Sequence, residues 1–425
     1  MRPRRAALLL VLVTALPRLA ALLYERERIV LFNVDKGDIF ARQFLADGTY
    51  GFIPGHPSAY TQPLYGWFLI PLYWIFGRHW EVVGLAQIAV ACATTLVVWQ
   101  IGRSWLGSRT GLVAGVLVAL HPYLVWHDVH MNREILDHFL AAAIVLLTLK
   151  AAEHFTPGRG AALGVVLGLA ILGNVRLEAL PLVVLAYIFV RGRRSALAAG
   201  AVLAAAAVVV MPWVVRNRAD IGCWAVTTDA RALWKANNLN TYATLKSGQW
   251  IDHVPQPKSF PPTPQDVYEH WVATGRITPY DECAQVDMFQ RKVISFWVHH
   301  PGAKAQLMPL DAEWLWQPQV VGVSDRPGQG TWLDTMRFYA EPTFMIAVYA
   351  LAVVGLFLVP VWFSSLAVVL LAYQTLAAML FVGETRYRVP WDFLVALLAS
   401  SALLRIPRTP SEMRSAVRRL ASSRS

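Results

Sequence analysis

The stretch TQPLYGWFLIPLYWIFG, Thr61–Gly77, decides how the chain is threaded. It is apolar enough for a membrane crossing, yet it is short and carries Pro63 and Pro71. If it crosses, every later loop changes sides. The rest of the chain has to settle which.

Of 425 residues, 56% are apolar and 15% are charged, more hydrophobic sequence than a single soluble core buries. Apolar runs of about 20 residues recur, each long enough to cross about 30 Å of hydrocarbon as a helix that satisfies its own backbone. The expected fold class is therefore an all-α polytopic membrane protein. Spans are expected near 6–24, 80–101, 109–126, 134–151, 160–175, 177–191, 195–215, 342–359, 362–383 and 388–405, about ten transmembrane helices. The start MRPRRAALLLVLVTALPRLAALLY has the basic opening of a signal peptide. Arg18 interrupts its apolar run, however, and no clean small-residue cleavage site follows, so it reads as an uncleaved first span. No nucleic-acid module is visible, and the net charge of +11 reads as membrane orientation and anionic-lipid contact.

Basic residues in short loops mark the cytoplasmic side. With ten spans, that side collects Arg2, Arg4, Arg5, Arg103, Arg109, Lys150, Arg159, Arg191, Arg193, Arg194 and the tail from Arg405 to Arg424. An eleventh crossing at Thr61–Gly77 would force RGRRS and the arginine-rich tail to be translocated. The stretch is therefore read as a re-entrant or interfacial helix with belt residues Tyr60, Tyr65, Trp67, Tyr73 and Trp74. Four regions follow: a transmembrane catalytic module, 1–215, with a first outer loop, 25–79; a large extracytoplasmic loop, 216–341; a three-span bundle, 342–405; and a basic cytoplasmic tail, 406–425. Both termini are expected in the cytoplasm. The proline-rich DHVPQPKSFPPTPQD in the large loop disfavours regular helix or central strand. Cys223 and Cys283 share that loop, and the sequence leaves a disulfide and two free thiols equally open.

Polar chemistry gathers on the outer face. Asp35 and Asp38 follow the first span and, three apart, can share a helical face; the plainer reading is an interfacial helix with a solvated acidic start. HPYLVWHDVHMNREILDHF places His127, Asp128, His130, Arg133 and Glu134 in one turn. Its His-Asp-x-His invites a divalent metal, but two histidines three apart in a polar turn read more simply as interfacial side chains. Glu134 opens a span, where a helix N-terminus favours a carboxylate. Arg216 and Arg218 follow the seventh span, and Arg386 and Arg388 precede the last. Taken singly they read as snorkelling side chains, yet arginine forks also suit the oxygens of a lipid-linked phosphate.

Several segments carry a resemblance: PWVVRN (Pro212–Asn217), RYRVPWDFLVALLA (Arg386–Ala399), YTQPLYGWFL (Tyr60–Leu69) and ALHPYLVWHDVHMNREIL (Ala119–Leu136). In that combination the chain resembles the dolichyl-phosphate-mannose protein mannosyltransferase and lipid A aminoarabinose transferase superfamily, the GT-C glycosyltransferases. The resemblance implies a seven-span module with its active site beneath the first and large outer loops. It further implies inverting transfer of a hexose or pentose from a polyprenyl-phosphate donor to a glycan, lipid or protein acceptor, at the outer face of a bacterial inner membrane.

Carried onto this chain, the resemblance makes Asp35 or Asp38 the base and gives Glu134 the orientation of sugar or acceptor hydroxyls. Arg216, Asn217, Arg386, Tyr387, Arg176 and Tyr65 become substrate-binding residues. No metal or other cofactor is required. The family commonly has an adjacent acidic pair here, and strict alignment back from ARQFL puts Asn33 at that position; Gln62 stands where lipid A transferases carry lysine. The long C-terminal soluble domain of some relatives is missing, which leaves acceptor recognition to 216–341. A polytopic transporter or flippase, or a scaffold of envelope polysaccharide assembly, is the competing reading. Paired repeats and broken mid-membrane helices, the marks of a transporter, are not evident.

The threading has a direct test. A cysteine placed at Ser195 is expected to resist an impermeant thiol reagent added outside intact cells, and labelling there would overturn the ten-span arrangement.

Overall fold

The computed structural model describes residues 2–32, 34–319 and 332–405. Asn33, part of the large loop at 320–331 and the expected basic tail, 406–425, lie outside the described residues. The chain runs as α1 (Pro3–Glu25), a single turn α2 (Arg28–Leu31), α3 (Lys36–Asp47), α4 (Pro63–Phe76), α5 (Trp80–Trp105), α6 (Ser108–Ala119), α7 (Pro122–His127) and α8 (Glu134–Glu153). There follow α9 (Pro157–Gly173), α10 (Leu180–Val190) and α11 (Ala196–Asp220). The large loop holds α12 (Ala230–Lys235), α13 (Thr241–Lys246), α14 (Pro264–Thr274), α15 (Glu282–His299) and α16 (Pro301–Trp316). The last part is α17 (Trp332–Leu356), α18 (Val361–Leu380), a short α19 (Thr385–Arg388) and α20 (Asp392–Arg405). No β-strand occurs among the described residues, only the bridge Ile53–His56.

Seven helices among the described residues are long and apolar enough to cross a membrane: α1, α5, α8, α11, Phe338–Leu356 of α17, α18 and Thr385–Arg405. The remaining expected spans coincide with shorter helices. The one placed at 109–126 is broken between α6 and α7, because Pro122 has no N–H to continue the ladder. The one placed at 177–191 starts at Leu180, with Pro181 in its first turn. Along α9, Gly160, Gly164 and Gly168 recur every fourth residue, and a Cβ at any of them would strike a backbone carbonyl of α11 at Ala198, Val202 or Ala206. This small-residue stripe brings the two backbones into contact.

The opening stretch is α4. Its 14 residues rise about 21 Å at about 1.5 Å each, short of the about 30 Å hydrocarbon core. Just beyond its C-terminal end, Arg78 donates to the Val30 carbonyl near the end of α1, so α5 starts at the end of the bundle where α1 finishes. At its other end the Tyr50 hydroxyl donates to the Pro63 carbonyl at 3.0 Å. The belt differs from expectation. Trp74 faces outward, 77% exposed, whereas Tyr60, Tyr65 and Tyr73 are buried. Each phenol has a protein partner: Arg231 for Tyr60, Gln87 for Tyr65 and Asp38 for Tyr73. Burying a phenol requires such a bond, which is why these tyrosines turn inward.

Arg18, in the middle of the first helix, does not face lipid. It pairs with Asp128 at 2.8 Å and donates to the Thr14 and Ala119 carbonyls, fully buried. In the large loop, Cys223 and Cys283 form a disulfide, and buried Glu282 accepts from the Ala59 N–H and the Thr228 hydroxyl, joining the large loop to the connection between α3 and α4. Arg18→Leu or Asp128→Leu alone is expected to cost about 3–5 kcal/mol, since each strands a buried charge, while the double replacement recovers most of it. Thermal unfolding of the detergent-solubilised protein measures the difference.

Candidate active site

The charged side chains converge at the end of the bundle where α1 finishes and α8 begins. Asp35 caps α3: its Oδ1 accepts from the Gly37 N–H at 2.7 Å, as a short acidic side chain does at an N-cap. Its own N–H donates to the Met131 carbonyl at 3.0 Å, tying it to the turn before α8. Burial pushes the Asp35 carboxyl above its ordinary range, with Arg133 opposing and Glu134 adding to the rise. Glu134 opens α8, buried, with His127, Arg386 and Arg133 in Coulombic reach.

Across from these residues, the turn ahead of α20 carries Arg386. It lies 2.5 Å from Glu384, donates to the Tyr387 hydroxyl at 3.0 Å and stands 5.8 Å from the Trp250 ring. Arg176 follows α9 and lies flat on Tyr387, 3.6 Å from the ring centroid, while donating to the Val382 carbonyl. Tyr387 thus has Arg176 on its ring and Arg386 beside it, and Arg133 senses both Tyr387 and Asp35. Three guanidiniums and a carboxylate set of Asp35, Glu134 and Glu384 share one space. Such a set can hold an anion on the arginines and take a proton on a carboxylate.

The other sequence-predicted residues lie elsewhere. Asp38 is enclosed by Arg78 at 2.8 Å, Arg42 at 3.1 Å and the Tyr73 hydroxyl at 2.7 Å, which lock α3 to α4. Arg216 donates to the Ser58 and Tyr50 carbonyls and pairs with Asp220, while Asn217 accepts from Arg216 and donates to the Ala225 carbonyl. This arginine-asparagine pair pins the connection between α3 and α4 onto α11. Tyr65 approaches Asp35 electrostatically, but its hydroxyl donates to Gln87 at 2.6 Å. Arg388 is buried and grips Asp392, the Leu315 carbonyl and the Gln317 carbonyl. His127 stacks on Tyr123, and the His130 Nδ1 faces the Trp126 carbonyl. No group of three or more His, Cys, Asp or Glu placed to hold a metal occurs among the described residues.

Arg133 and Glu384 belong to the cluster without having been singled out as site residues. The signal for Arg133 was present in MNREIL, an arginine next to the selected Glu134 at the start of a span.

Residues 55–215 match the family model of dolichyl-phosphate-mannose-protein mannosyltransferase. No curated protein matches the chain in sequence. The fold is shared with the archaeal oligosaccharyltransferase AglB from Archaeoglobus fulgidus, solved with an inhibitory peptide and a dolichol-phosphate, at TM-score 0.52 and 11% identity over 94% of this chain and 50% of that one. A second structure of the Archaeoglobus fulgidus enzyme, tethered to an acceptor peptide, gives TM-score 0.52 and 12% identity over 94% and 49%. ArnT from Cupriavidus metallidurans bound to undecaprenyl phosphate gives TM-score 0.43 and 17% identity over 93% and 76%. The chain spans about half the length of the archaeal enzyme. The match over residues 55–215 and the fold shared with the archaeal enzyme agree with the resemblance read from the sequence, and the apolar helices make this a multi-pass membrane protein.

Two neighbouring arginines now separate. Arg388→Gln is expected to lower the unfolding temperature more than Arg386→Gln, because Arg388 has no exposed surface whereas the Arg386 side chain is 38% exposed.

Proposed function

We propose that the protein transfers a sugar, with inversion, from a polyprenyl-phosphate donor to a hydroxyl acceptor at the extracytoplasmic face of a bacterial inner membrane. The observation that carries this reading is the juxtaposition of Asp35 with Arg133, Arg176 and Arg386 at one end of the bundle. A carboxylate that draws a proton from an acceptor hydroxyl makes its oxygen a better nucleophile; that oxygen bonds to the anomeric carbon as the carbon–phosphate oxygen bond breaks. Arginines placed where the phosphate charge grows stabilise its departure on the carrier.

Asp35 is the base in this reading. Asp38 is saturated by Arg78, Arg42 and Tyr73 and serves the scaffold. Glu134 orients sugar or acceptor hydroxyls, Arg386 and Arg176 hold the phosphate with Tyr387, and Arg133 joins them. Arg216 and Asn217 act on the α3–α4 connection and Tyr65 on Gln87 of α5, rather than on substrate. No cofactor is invoked. A cleft of about 610 Å³ between the α12–α13 turn, the proline-rich stretch and α15, lined by Trp234, Asn238, Gln256, Phe260 and Lys292, is where an acceptor glycan, lipid or protein would approach.

The proposed sidedness has two supports. The basic ends meet at the opposite end of the bundle, where Arg193 donates to the Ala152 carbonyl and Arg405 to the Leu358 carbonyl. The Cys223–Cys283 disulfide in the large loop suits an oxidising compartment.

Transfer from radiolabelled polyprenyl-phosphate sugars in membranes tests the assignment. Asp35→Asn is expected to reduce transfer by about 10²–10⁴-fold and to leave folding intact, because burial already disfavours the charged form and an asparagine still caps α3. Asp38→Asn is expected to lower thermal stability instead. Full transfer by Asp35→Asn sinks the base assignment. The base works deprotonated, so kcat/KM should fall on the acid side through a pKa above the ordinary 3.8 of an aspartate.

A further inference from the structure

Asp137 lies in the first turn of α8, three residues past Glu134 and four past Arg133, on the same helical face. Its side chain is buried, 6% exposed, in the first turn of a helix long and apolar enough to cross a membrane, where a charged group is costly. One oxygen, Oδ2, accepts from the Asn174 Nδ2 at 3.3 Å, and the other, Oδ1, has no hydrogen-bond partner among the described residues. The same Asn174 turns its side-chain oxygen to the Arg176 N–H at 3.2 Å and so caps the turn that carries Arg176. Arg133 meanwhile lies in Coulombic reach of Asp137 and donates to Gln62. The packing leaves the aspartate little room: a Cβ at Gly173 would stand 3.0 Å from Oδ1.

A continuous path therefore runs from Arg133 through one helical turn to Asp137, across a hydrogen bond to Asn174, and into the backbone of Arg176. We propose that Asp137 and Asn174 are positioning residues that hold Arg133 and Arg176 at the separation needed to grip one phosphate between α8 and the turn after α9. This rests on the phosphate-binding reading above. Neither residue touches the phosphate. Their role is to join α8 to the turn after α9, and the carboxylate draws the Arg133 guanidinium toward the shared space.

Binding of a sugar-free polyprenyl monophosphate to the solubilised full-length protein tests this apart from transfer. Asp137→Leu and Asn174→Ala are each expected to raise Kd about tenfold or more, as small misplacements of positioned groups do, while the unfolding temperature stays near that of the wild type. The swap Asp137→Asn with Asn174→Asp rebuilds the bond in reverse and is expected to restore Kd to within about threefold, under about 0.7 kcal/mol. Unchanged Kd in both single variants overturns the proposal, as does a swap no better than either. A loss of binding that only tracks a loss of folded protein also overturns it. Wild-type binding without sugar transfer would count against the transferase reading and leave this one standing; a wild type that does not bind the lipid phosphate removes both.

Discussion

The charge of Arg18 has to be neutralised within the helix bundle, and the end of the bundle that carries Asp35 and Glu134 is assembled on how that is done. An isolated guanidinium within an apolar helix bundle is costly, so Arg18 holds Asp128 at 2.8 Å. Gln87 donates to the carbonyls of Asp128 and His130, and Tyr65 donates to Gln87. The turn fixed in this way offers the Met131 carbonyl to the Asp35 N–H and leads directly into Arg133 and Glu134. One buried ion pair thus sets the place of the proposed base, of one arginine and of the acid beside it. Its strength comes from the low dielectric around it, which penalises any rearrangement that would separate the charges.

The conspicuous charged residues divide by what surrounds them. Asp38, Arg388 and the Arg216–Asn217 pair are met almost entirely by protein partners, and each joins two segments: α3 to α4, α20 to the end of α16, and α11 to the connection between α3 and α4. Asp35 and Arg386 keep part of their bonding capacity turned to a common space, with Arg176 spread over an aromatic ring. A segment that carries the resemblance can thus serve assembly as much as chemistry. PWVVRN is the clearest example, since its arginine and asparagine clamp backbone carbonyls.

Helices and their grouping were legible because a bilayer leaves few alternatives. Backbone groups in hydrocarbon must bond internally, so apolar runs read as helices, and the ten expected spans each fall on helical chain. Breaks were less legible: Pro122 split a helix that the apolar run alone made continuous. Asp35, Glu134, Arg176, Arg386 and Tyr387 come together, while Asp38, Arg216 and Asn217 do not join them. A sequence shows that an arginine is present but not whether a carboxylate already occupies it.

Thr61–Gly77 marks the division between the two kinds of information. Its composition and length, with charge counts in other loops, already favoured a short re-entrant or interfacial helix over a crossing, because hydrophobic thickness and the cost of translocating arginines bear on the sequence directly. Which of its tyrosines face inward, which aspartate they meet and which arginines remain for a ligand were decided by tertiary structure. Hydrogen-bond and ion-pair partners come from residues far apart in the chain, such as Tyr73 with Asp38 and Asp137 with Asn174, and only folding brings them within reach.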